Sequence, residues 1–194
     1  MGCMYKHTMS LELIIGPMFA GKSSAIQSIV RRHQALGWSV YVITHVIDTR
    51  YSDESVLINH DQHSIPAIRT DVLSPLVETM EYMKSRLIIV EEAQFFKDLV
   101  PFIQTAVDIH LKNVVVVGLD GDAERKPFGQ VLDLVPLADR VTKYTAFCTD
   151  CRDGTPAIFT YSHKQTDAST NISVGGSETY SPLCRAHYLE RKNT

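Results

Sequence analysis

Short runs of mostly apolar residues recur along the chain, separated by longer amphipathic stretches. The runs occupy residues 11–15, 40–44, 87–90 and 113–119, and residues 65–68 are a further candidate. Runs of this length without regular alternation are typical of strands that are covered on both faces. The pattern therefore predicts a buried sheet.

In the stretches between these runs, apolar residues return every three or four positions, which is the spacing of one helical face. Residues 24–36, 71–85 and 96–110 show this pattern, and Gly37 is a natural end for the first helix. A helix between the first two strands implies a right-handed crossover and a parallel pair. Strands that alternate with helices predict an α/β fold with a mostly parallel, doubly wound sheet.

Ligands of such folds bind at the carboxyl ends of the strands. Gly16, Asp48, Glu91 and Asp120 each fall shortly after a predicted strand. Their convergence predicts a functional site at this edge of the sheet.

The character of the sequence changes after residue 141. Three cysteines and a stretch rich in Thr, Ser and Gly replace the alternation of helix and strand. We therefore predict a flexible tail at residues 1–9, an α/β domain at 10–141 and a small subdomain at 142–194.

The composition fits one well-cored soluble domain with a small appendage, since 44% of the 194 residues are hydrophobic and 21% are charged. A formal net charge of -3 argues against a protein whose main partner is a nucleic-acid backbone. No apolar run approaches the ~20 residues that span a bilayer, and residues 1–10 lack a signal-peptide core. We therefore expect a cytoplasmic protein that binds neither nucleic acid nor membrane.

A phosphate-binding motif connects the first predicted strand to the first helix. The sequence Gly16, Pro17, Met18, Phe19, Ala20, Gly21, Lys22, Ser23 matches G-x-x-x-x-G-K-[ST] at every fixed position. In this motif the backbone N–H groups surround phosphate oxygens, the lysine reaches the outer phosphates and the hydroxyl binds magnesium. The alternative is an ordinary turn from strand to helix that contains glycine.

Two adjacent carboxylates, Glu91 and Glu92, follow the strand at 87–90. Neighbouring residues at a strand end point to opposite sides, so one carboxylate can face a magnesium ion while the other takes a proton from an acceptor hydroxyl. The alternative is a solvated pair that caps the next helix. Arg50 is a candidate for neutralising charge on a transferring phosphoryl group, or else a solvated loop residue.

Cys148 and Cys151 form one ligand pair, and Cys184 and His187 form a second, each with two residues between its members. Three thiolates and one imidazole make a closed tetrahedral zinc site, which leaves no position for water and is therefore structural. The gap between the pairs is longer than in common zinc motifs. The alternative is a set of small buried residues with a surface histidine.

Several stretches stand together in one order along the chain. They are residues 16–23, 48–51 and 91–96, residues 119–121 with Arg125, Lys126, Phe128 and Gly129, the two ligand pairs, and Gly175, Gly176 and Tyr180. In this combination, from Ser10 to Lys192, the chain closely resembles the zinc-containing (type II) thymidine kinases. The resemblance implies a P-loop nucleotide-binding domain, transfer of phosphate from ATP to the thymidine 5′-hydroxyl with magnesium, and a homotetramer inhibited by thymidine triphosphate.

The resemblance also implies roles for individual residues. It implies that Glu92 is the general base, that Lys22 and Arg50 are phosphate clamps, and that Ser23 and Glu91 hold magnesium. It implies that ATP and its metal are bound by residues 16–23 with Asp48, Thr49, Arg50, Glu91 and Gln94. The implied nucleoside pocket is lined by Met18, Leu119, Phe128, Thr160, Asn171, Ile172, Ser173, Val174, Gly175 and Tyr180.

Residues 166–180 are similar to the lasso loop of that family, which closes over the base; the alternative is a mobile loop between two metal-binding pairs. The chain also departs from the family pattern at several positions. Glu91 stands where the family usually has Asp, Ala123 replaces an aromatic residue, and His187 replaces the commoner fourth cysteine. The resemblance therefore leaves the selectivity for the base open.

Two other classes of protein share a phosphate loop. A helicase-like ATPase with a zinc ribbon would be expected to have a basic surface and an arginine supplied by a partner. A nucleotide-dependent switch would need an Asn-Lys-x-Asp motif, which the sequence lacks. We rank both below a nucleoside kinase.

Overall fold

The computed structural model of the protein describes residues 9–47, 56–58, 64–163 and 175–193. Several predictions concern residues outside these ranges. They are most of the predicted tail, the strand-end residues Asp48, Thr49 and Arg50, and the loop residues Asn171, Ile172, Ser173 and Val174.

The described residues contain strands, α-helices and shorter helical turns. The strands are β1 (Ser10–Ile15), β2 (Val40–His45), β3 (Val56–Ile58), β4 (Ser64–Pro66), β5 (Ile68–Thr70), β6 (Leu87–Val90), β7 (Asn113–Gly118), β8 (Arg140–Lys143), β9 (Ala146–Phe147), β10 (Pro156–Ala157), β11 (Phe159–Ser162) and β12 (Tyr180–Leu183). The α-helices are α1 (Lys22–Ala35), α2 (Met80–Lys84), α3 (Leu99–Gln104) and α4 (Arg185–Lys192). Turns of 3-10 helix cover Ser74–Glu78, Ala93–Phe95 and Leu132–Leu137, and a π-helical turn covers Thr105–Ile109.

Six strands form the main sheet in the order β5-β2-β6-β7-β1-β8, and every neighbouring pair is parallel. The predicted parallel α/β fold is therefore confirmed. The predicted pairing of the first two strands is wrong, because β6 and β7 lie between β2 and β1. A crossover helix fixes the direction and handedness of two strands but does not require them to be neighbours.

Both faces of the sheet are covered, which explains the apolar runs. On one face Ile14 and Val117 pack with Ile26 and Val30 of α1. On the other face, Leu13 and Val116 pack with the residues of α3 and the π-helical turn. The doubly wound arrangement leaves the carboxyl ends of β1, β6 and β7 side by side, and the phosphate loop and the acidic pair begin there.

The single helix predicted at residues 71–85 is wrong. The chain forms the 3-10 turn Ser74–Glu78, becomes extended at Thr79 with ψ 148°, and starts again as α2. Thr79 caps α2, since its hydroxyl accepts from the N–H of Tyr82 and donates to the carbonyl of Leu76. Periodicity alone did not detect this break because the apolar spacing runs across it.

Two further boundaries differ from the prediction. The helix predicted at 96–110 begins at Leu99 and ends in the π-helical turn. This start places Pro101 in the first turn, where its missing N–H has no helical acceptor. Residues 65–68 belong to two strands: β4 pairs antiparallel with β3, whereas β5 joins the main sheet beside β2. Pro66 ends β4 because it cannot continue the ladder of N–H donors.

After β8 the chain forms two small antiparallel pairs, β9 with β10 and β11 with β12, followed by α4. Their own core contains Ala157, Leu183 and Tyr188 together with Cys148 and Cys184. The main sheet extends through Lys143 of β8, just past the division predicted at residue 141. Among the described residues, no helix has the length and apolarity that crossing a bilayer requires.

Candidate active site and metal centre

The phosphate loop leaves the end of β1 and turns directly into α1. Gly16 has φ 143°, and a Cβ there would lie 2.4 Å from the carbonyl oxygen of Tyr144, so no other residue fits. The Lys22 ammonium folds back over the loop and donates to the carbonyl oxygens of Gly16 at 3.1 Å and Pro17 at 2.7 Å. The N-terminus of α1 and its N–H groups face the same space, which suits an anion.

Glu91 joins the loop to the end of β6. This residue is 4% exposed, and its Oε1 accepts a hydrogen bond from the Ser23 hydroxyl at 2.7 Å. Magnesium prefers oxygen ligands and is commonly held by one or two protein oxygens together with substrate phosphates. A hydroxyl and a carboxylate in contact beside a phosphate loop fit that requirement, and the longer Glu side chain in place of Asp still reaches Ser23.

Glu92 has a different partner from that of Glu91. Its backbone is left-handed, with φ 51° and ψ 39°, a conformation that is uncommon outside glycine. Its Oε2 lies 2.5 Å from the amide nitrogen Nε2 of Gln94. The two adjacent carboxylates therefore contact different groups, one at the phosphate loop and the other in the turn after β6.

Some of the predicted nucleoside-pocket residues are brought together across the two parts of the chain. The N–H of Met18 in the loop donates to the Thr160 hydroxyl of β11 at 3.0 Å. Phe128 packs edge-on against Phe95 with ring centroids 5.4 Å apart. Tyr180 opens β12 beside β11, and Gly175 lies at the start of the last described stretch. Phe95 was not predicted as a site residue, although it follows the acidic pair closely in sequence.

A cavity of about 190 Å³ lies beside the loop, between Pro17, Thr160 and Phe159. An ion pair between Asp120 and Lys143, with N and O atoms 2.6 Å apart, forms part of its wall. This pair ties the end of β7 to β8. No spacing pattern could predict this pair, because Asp120 follows β7 whereas Lys143 lies in β8.

His45 stands at the end of β2 beside the same turn. Its ring packs against Phe95 and Phe96, with centroids 5.5 Å and 4.8 Å away, and its Nδ1 accepts from the N–H of Ile47. Burial lowers the pKa of His45, while the charges of Asp71 and Glu92 act to raise it. The net effect favours the neutral ring, which the bond from Ile47 requires.

The predicted metal ligands converge. One ligand atom each of Cys148, Cys151, Cys184 and His187 lies within 4.8 Å of all the others. The Sγ atoms of Cys151 and Cys184 are 3.8 Å apart, and the His187 Nδ1 lies 3.3 Å from Cys151 Sγ and 3.4 Å from Cys184 Sγ. A tetrahedral ion with bonds of about 2.3 Å to sulfur and about 2.0 Å to nitrogen needs edges of roughly 3.5–3.8 Å, so the cluster fits zinc.

The environment of Cys148 favours the thiolate that a metal needs. Burial acts to raise its pKa, but hydrogen bonds from the backbone at Cys184, Cys151 and Asp150 outweigh burial and lower the pKa to about 6. Zinc binds the deprotonated sulfur. The same does not hold for Cys151, because burial and the neighbouring Cys148 and Cys184 side chains raise the pKa of its thiol to about 11.

Helix α4, which begins directly after Cys184, reaches back to the loop that follows β7. The Tyr188 hydroxyl donates to the Ala123 carbonyl at 2.6 Å, Lys192 pairs with Glu124, and the Arg125 guanidinium lies 4.8 Å from the Tyr188 ring centroid. Helix α4 therefore contacts each of residues 123–125. Sequence reasoning missed the contact between Tyr188 and Ala123, because the two residues are 65 positions apart and belong to no common motif.

Comparison with known proteins identifies relatives of the whole chain. The family "Thymidine kinase" matches residues 9–188. The chain is 40% identical to thymidine kinase a of Arabidopsis thaliana over 183 residues, which covers 93% of this chain and 75% of that protein. It is 37% identical to the cytosolic thymidine kinase of Homo sapiens over 183 residues, covering 93% of this chain and 74% of that protein.

A solved structure, the ATPase DotB of Legionella pneumophila, covers 74% of this chain and 42% of its own chain at 18% identity and a TM-score of 0.38. The order of the parallel sheet and the phosphate loop after β1 define the fold independently of this likeness.

Proposed function

The chain belongs to the thymidine kinase family, and from that premise we propose that it transfers the γ-phosphoryl group of ATP to the 5′-hydroxyl of thymidine, with deoxyuridine as a second acceptor. The observation that carries the proposal is the divergence of the acidic pair. Glu91 contacts Ser23 at the phosphate loop, whereas Glu92 is turned to a separate partner. Phosphoryl transfer to an alcohol uses one carboxylate to bind the metal ion and a second to accept the proton of the acceptor hydroxyl.

We propose that residues 16–23 hold the phosphates of ATP. The Lys22 ammonium, now bonded to the carbonyls of Gly16 and Pro17, would move its bonds to the β- and γ-phosphate oxygens. Ser23 and Glu91 would hold a magnesium ion, which when bound neutralises charge on the phosphates. Asp48, Thr49 and Arg50 come shortly after β2 in the sequence, and Arg50 is proposed to stabilise the charge that develops on the transferring group.

Glu92 is proposed as the general base. As the 5′-oxygen forms its bond to the γ-phosphorus, the bond from that phosphorus to the bridging oxygen of ADP breaks, and the proton of the 5′-hydroxyl passes to the Glu92 carboxylate. The products are thymidine monophosphate and ADP. A fixed carboxylate at the acceptor favours the alcohol over water.

The nucleoside is proposed to lie between the phosphate loop and the C-terminal subdomain. The bond from Met18 to Thr160 and the packing of Phe128 on Phe95 support this position. Leu119 would add to the pocket wall. Residues 171–175 and Tyr180 would cover the base, and a cover of this kind excludes water that could otherwise accept the phosphoryl group.

Membership of this family also supports proposals about the metal, the domain organisation and the assembly of the protein. We propose that zinc occupies the cluster of three cysteines and His187, that residues 142–194 act as a subdomain which anchors the cover, and that residues 1–9 form a tail. We also propose a cytoplasmic homotetramer that is inhibited by thymidine triphosphate.

The test is incubation of the purified protein with magnesium-ATP and a panel of nucleosides, followed by chromatography of the products. We expect thymidine monophosphate as the main product and less phosphorylation of ribonucleosides. If ATP is instead hydrolysed in response to DNA while no nucleoside gains phosphate, the chain is an ATPase and the proposal is wrong.

A further inference from the structure

The side chain of Gln94 bridges the proposed base and the end of β7. Gln94 lies in the 3-10 turn Ala93–Phe95 and is 3% exposed. Its Nε2 lies 2.5 Å from Glu92 Oε2, and its Oε1 accepts a hydrogen bond from the N–H of Leu119 at 3.0 Å. One buried amide therefore connects the turn after β6 with the first residue after β7.

The orientation of this amide is fixed by the chemistry of its two partners. The backbone N–H of Leu119 can only donate, and an ionised carboxylate can only accept. With Oε1 towards Leu119, the Nε2 hydrogens must face Glu92, and a flipped amide would lose both bonds. The donor that meets Glu92 is thus held in one orientation.

Close packing keeps the amide in place. A Cβ at Gly118 would lie 2.8 Å from Gln94 Oε1 and 3.2 Å from Val131 Cγ2, so the lack of a side chain at Gly118 makes room for the amide. Because Gly118 is the last residue of β7, the position of the amide is set by the main sheet. The sheet in turn sets the position of the group that faces Glu92.

The backbone of Glu92 makes such support necessary. A residue in the left-handed region is not held by the ladder of β6, so its side-chain direction depends on its neighbours. A general base has to lie within hydrogen-bond reach of the proton that it removes, and small displacements are costly. A carboxylate on an irregular turn benefits from a fixed donor.

We propose that Gln94 is a positioning residue, which holds the Glu92 carboxylate at the acceptor hydroxyl and acts on the reaction only through Glu92. This inference rests on the proposed role of Glu92 as general base. It gives Gln94 a different task from the direct contact with ATP that family resemblance implies. The effect of losing Gln94 should accordingly fall on turnover, with little change in the binding of either substrate.

The first test compares Gln94→Leu with Gln130→Leu. Gln130 is a matched control, since its Oε1 also accepts from a backbone N–H, that of Val100 at 3.1 Å, but this bond lies at the start of α3 and not in the turn that carries Glu92. We expect Gln94→Leu to lower kcat by roughly 10- to 100-fold, less than the ~10²- to 10⁴-fold that a general base itself contributes, with both KM values within about two-fold of wild type. The control should retain wild-type kcat. Equal losses in both variants, or a change confined to the KM for ATP, would overturn the proposal.

The second test uses Gln94→Glu, which keeps the acceptor for Leu119 and so also serves if Gln94→Leu fails to fold. An ionised carboxylate cannot donate to Glu92, and two carboxylates this close share a proton at low pH. We expect the activity of the variant relative to wild type to rise as the pH falls from about 8 to about 6, because the side chain introduced at position 94 regains a hydrogen-bond donor when it is protonated. A ratio that stays constant with pH would contradict a role as donor.

A double variant separates the two proposals. If Gln94 acts through Glu92, Gln94→Leu should cost nothing further in a Glu92→Gln background, whereas independent roles would multiply the two losses. Wild-type kcat in Glu92→Gln would reject Glu92 as the base. A large loss in Glu92→Gln combined with multiplied losses in the double variant would reject only the role of Gln94.

Discussion

At the residue scale, Gly16 shows how far a single position in the loop is determined by its surroundings. Its backbone lies in a region that side chains rarely adopt, and the Tyr144 carbonyl occupies the space where a Cβ would stand. Gly16→Ala should therefore lower the free energy of unfolding by more than the ~1–3 kcal/mol of backbone strain alone, and should weaken ATP binding. Denaturant unfolding and ATP titration measure the two effects.

Gly37 supplies the matched control for this prediction. It has φ 72° at the end of α1, but a Cβ there would meet nothing within 4 Å. Gly37→Ala should cost only the backbone term, about 1 kcal/mol, and leave ATP binding unchanged. If the free energy of unfolding falls equally in the two variants, the clash with the Tyr144 carbonyl does not contribute to the loss of stability.

His45 gives a prediction on pH dependence. Its folded-state pKa is lowered by burial below the usual 6.5, so the unfolded chain binds the proton more readily. The contribution to stability is complete above the unfolded pKa and is lost as pH falls through about 6.5 towards the folded pKa. Urea unfolding at about pH 7.5 and pH 5.5 should show a smaller fall for His45→Asn, whose oxygen can accept from Ile47 without titrating. An identical fall in both proteins would assign the pH dependence to other groups.

Some residues of the candidate site could be predicted from the sequence, whereas others could not. The loop glycines, Lys22 and the four metal ligands follow from spacing, because their chemistry requires fixed residue types at fixed intervals. The bridge from Glu92 through Gln94 to Leu119 could not be predicted, since it depends on a left-handed turn and on the neighbouring position of β6 and β7. Local motifs predict ligands, whereas contacts between strands require the topology.

At the scale of elements, hydrophobic periodicity predicted where strands lie better than where helices begin and end. The strands β1, β2, β6 and β7 fall within one residue of their predicted bounds, because burial on both faces leaves an unmistakable apolar run. The break at Thr79 was invisible to periodicity. The Thr79 hydroxyl creates this break by forming hydrogen bonds with the backbone, and such bonds do not affect the spacing of apolar residues.

Thr79 provides the test at this scale. Thr79→Ala removes the acceptor for the Tyr82 N–H and should lower the free energy of unfolding by about 1 kcal/mol, the usual cost of losing an N-terminal cap. Thr79→Ser retains the hydroxyl and should recover most of that loss. Thermal or urea unfolding of the two variants measures the difference, and equal stability would show that the cap contributes nothing.

At the scale of the whole molecule, two parts that differ in sequence character share one site. The phosphate loop and the acidic pair follow strands of the main sheet, and the segment after β8 supplies Thr160 and helix α4. The first turn of α4 carries His187, and the next residue, Tyr188, is bonded to the carbonyl of Ala123. The metal cluster is thereby connected through one short helix to the loop beside the proposed nucleoside pocket.

This connection predicts a specific consequence of metal removal. Without the proposed zinc, the start of α4 would lose its anchor, so Tyr188 should no longer hold residues 123–125 in one position. We expect the chelated protein to show a raised KM for thymidine and reduced thermal stability, with a smaller change in the KM for ATP, because the phosphate loop is held by the main sheet.

Tyr188→Phe isolates the contact from the metal. It keeps the ring that packs against Phe159 but removes the hydroxyl that bonds to Ala123. We expect this variant to retain one zinc per chain by metal analysis. Its KM for thymidine should rise about 3- to 10-fold, as the loss of one buried hydrogen bond implies. Tyr161→Phe, which also removes one tyrosine hydroxyl, serves as the control. An unchanged KM in Tyr188→Phe together with a raised KM after chelation would mean that zinc acts on the pocket by another route, through the cover or through β11. A raised KM in both would make α4 the link between the structural metal and the substrate.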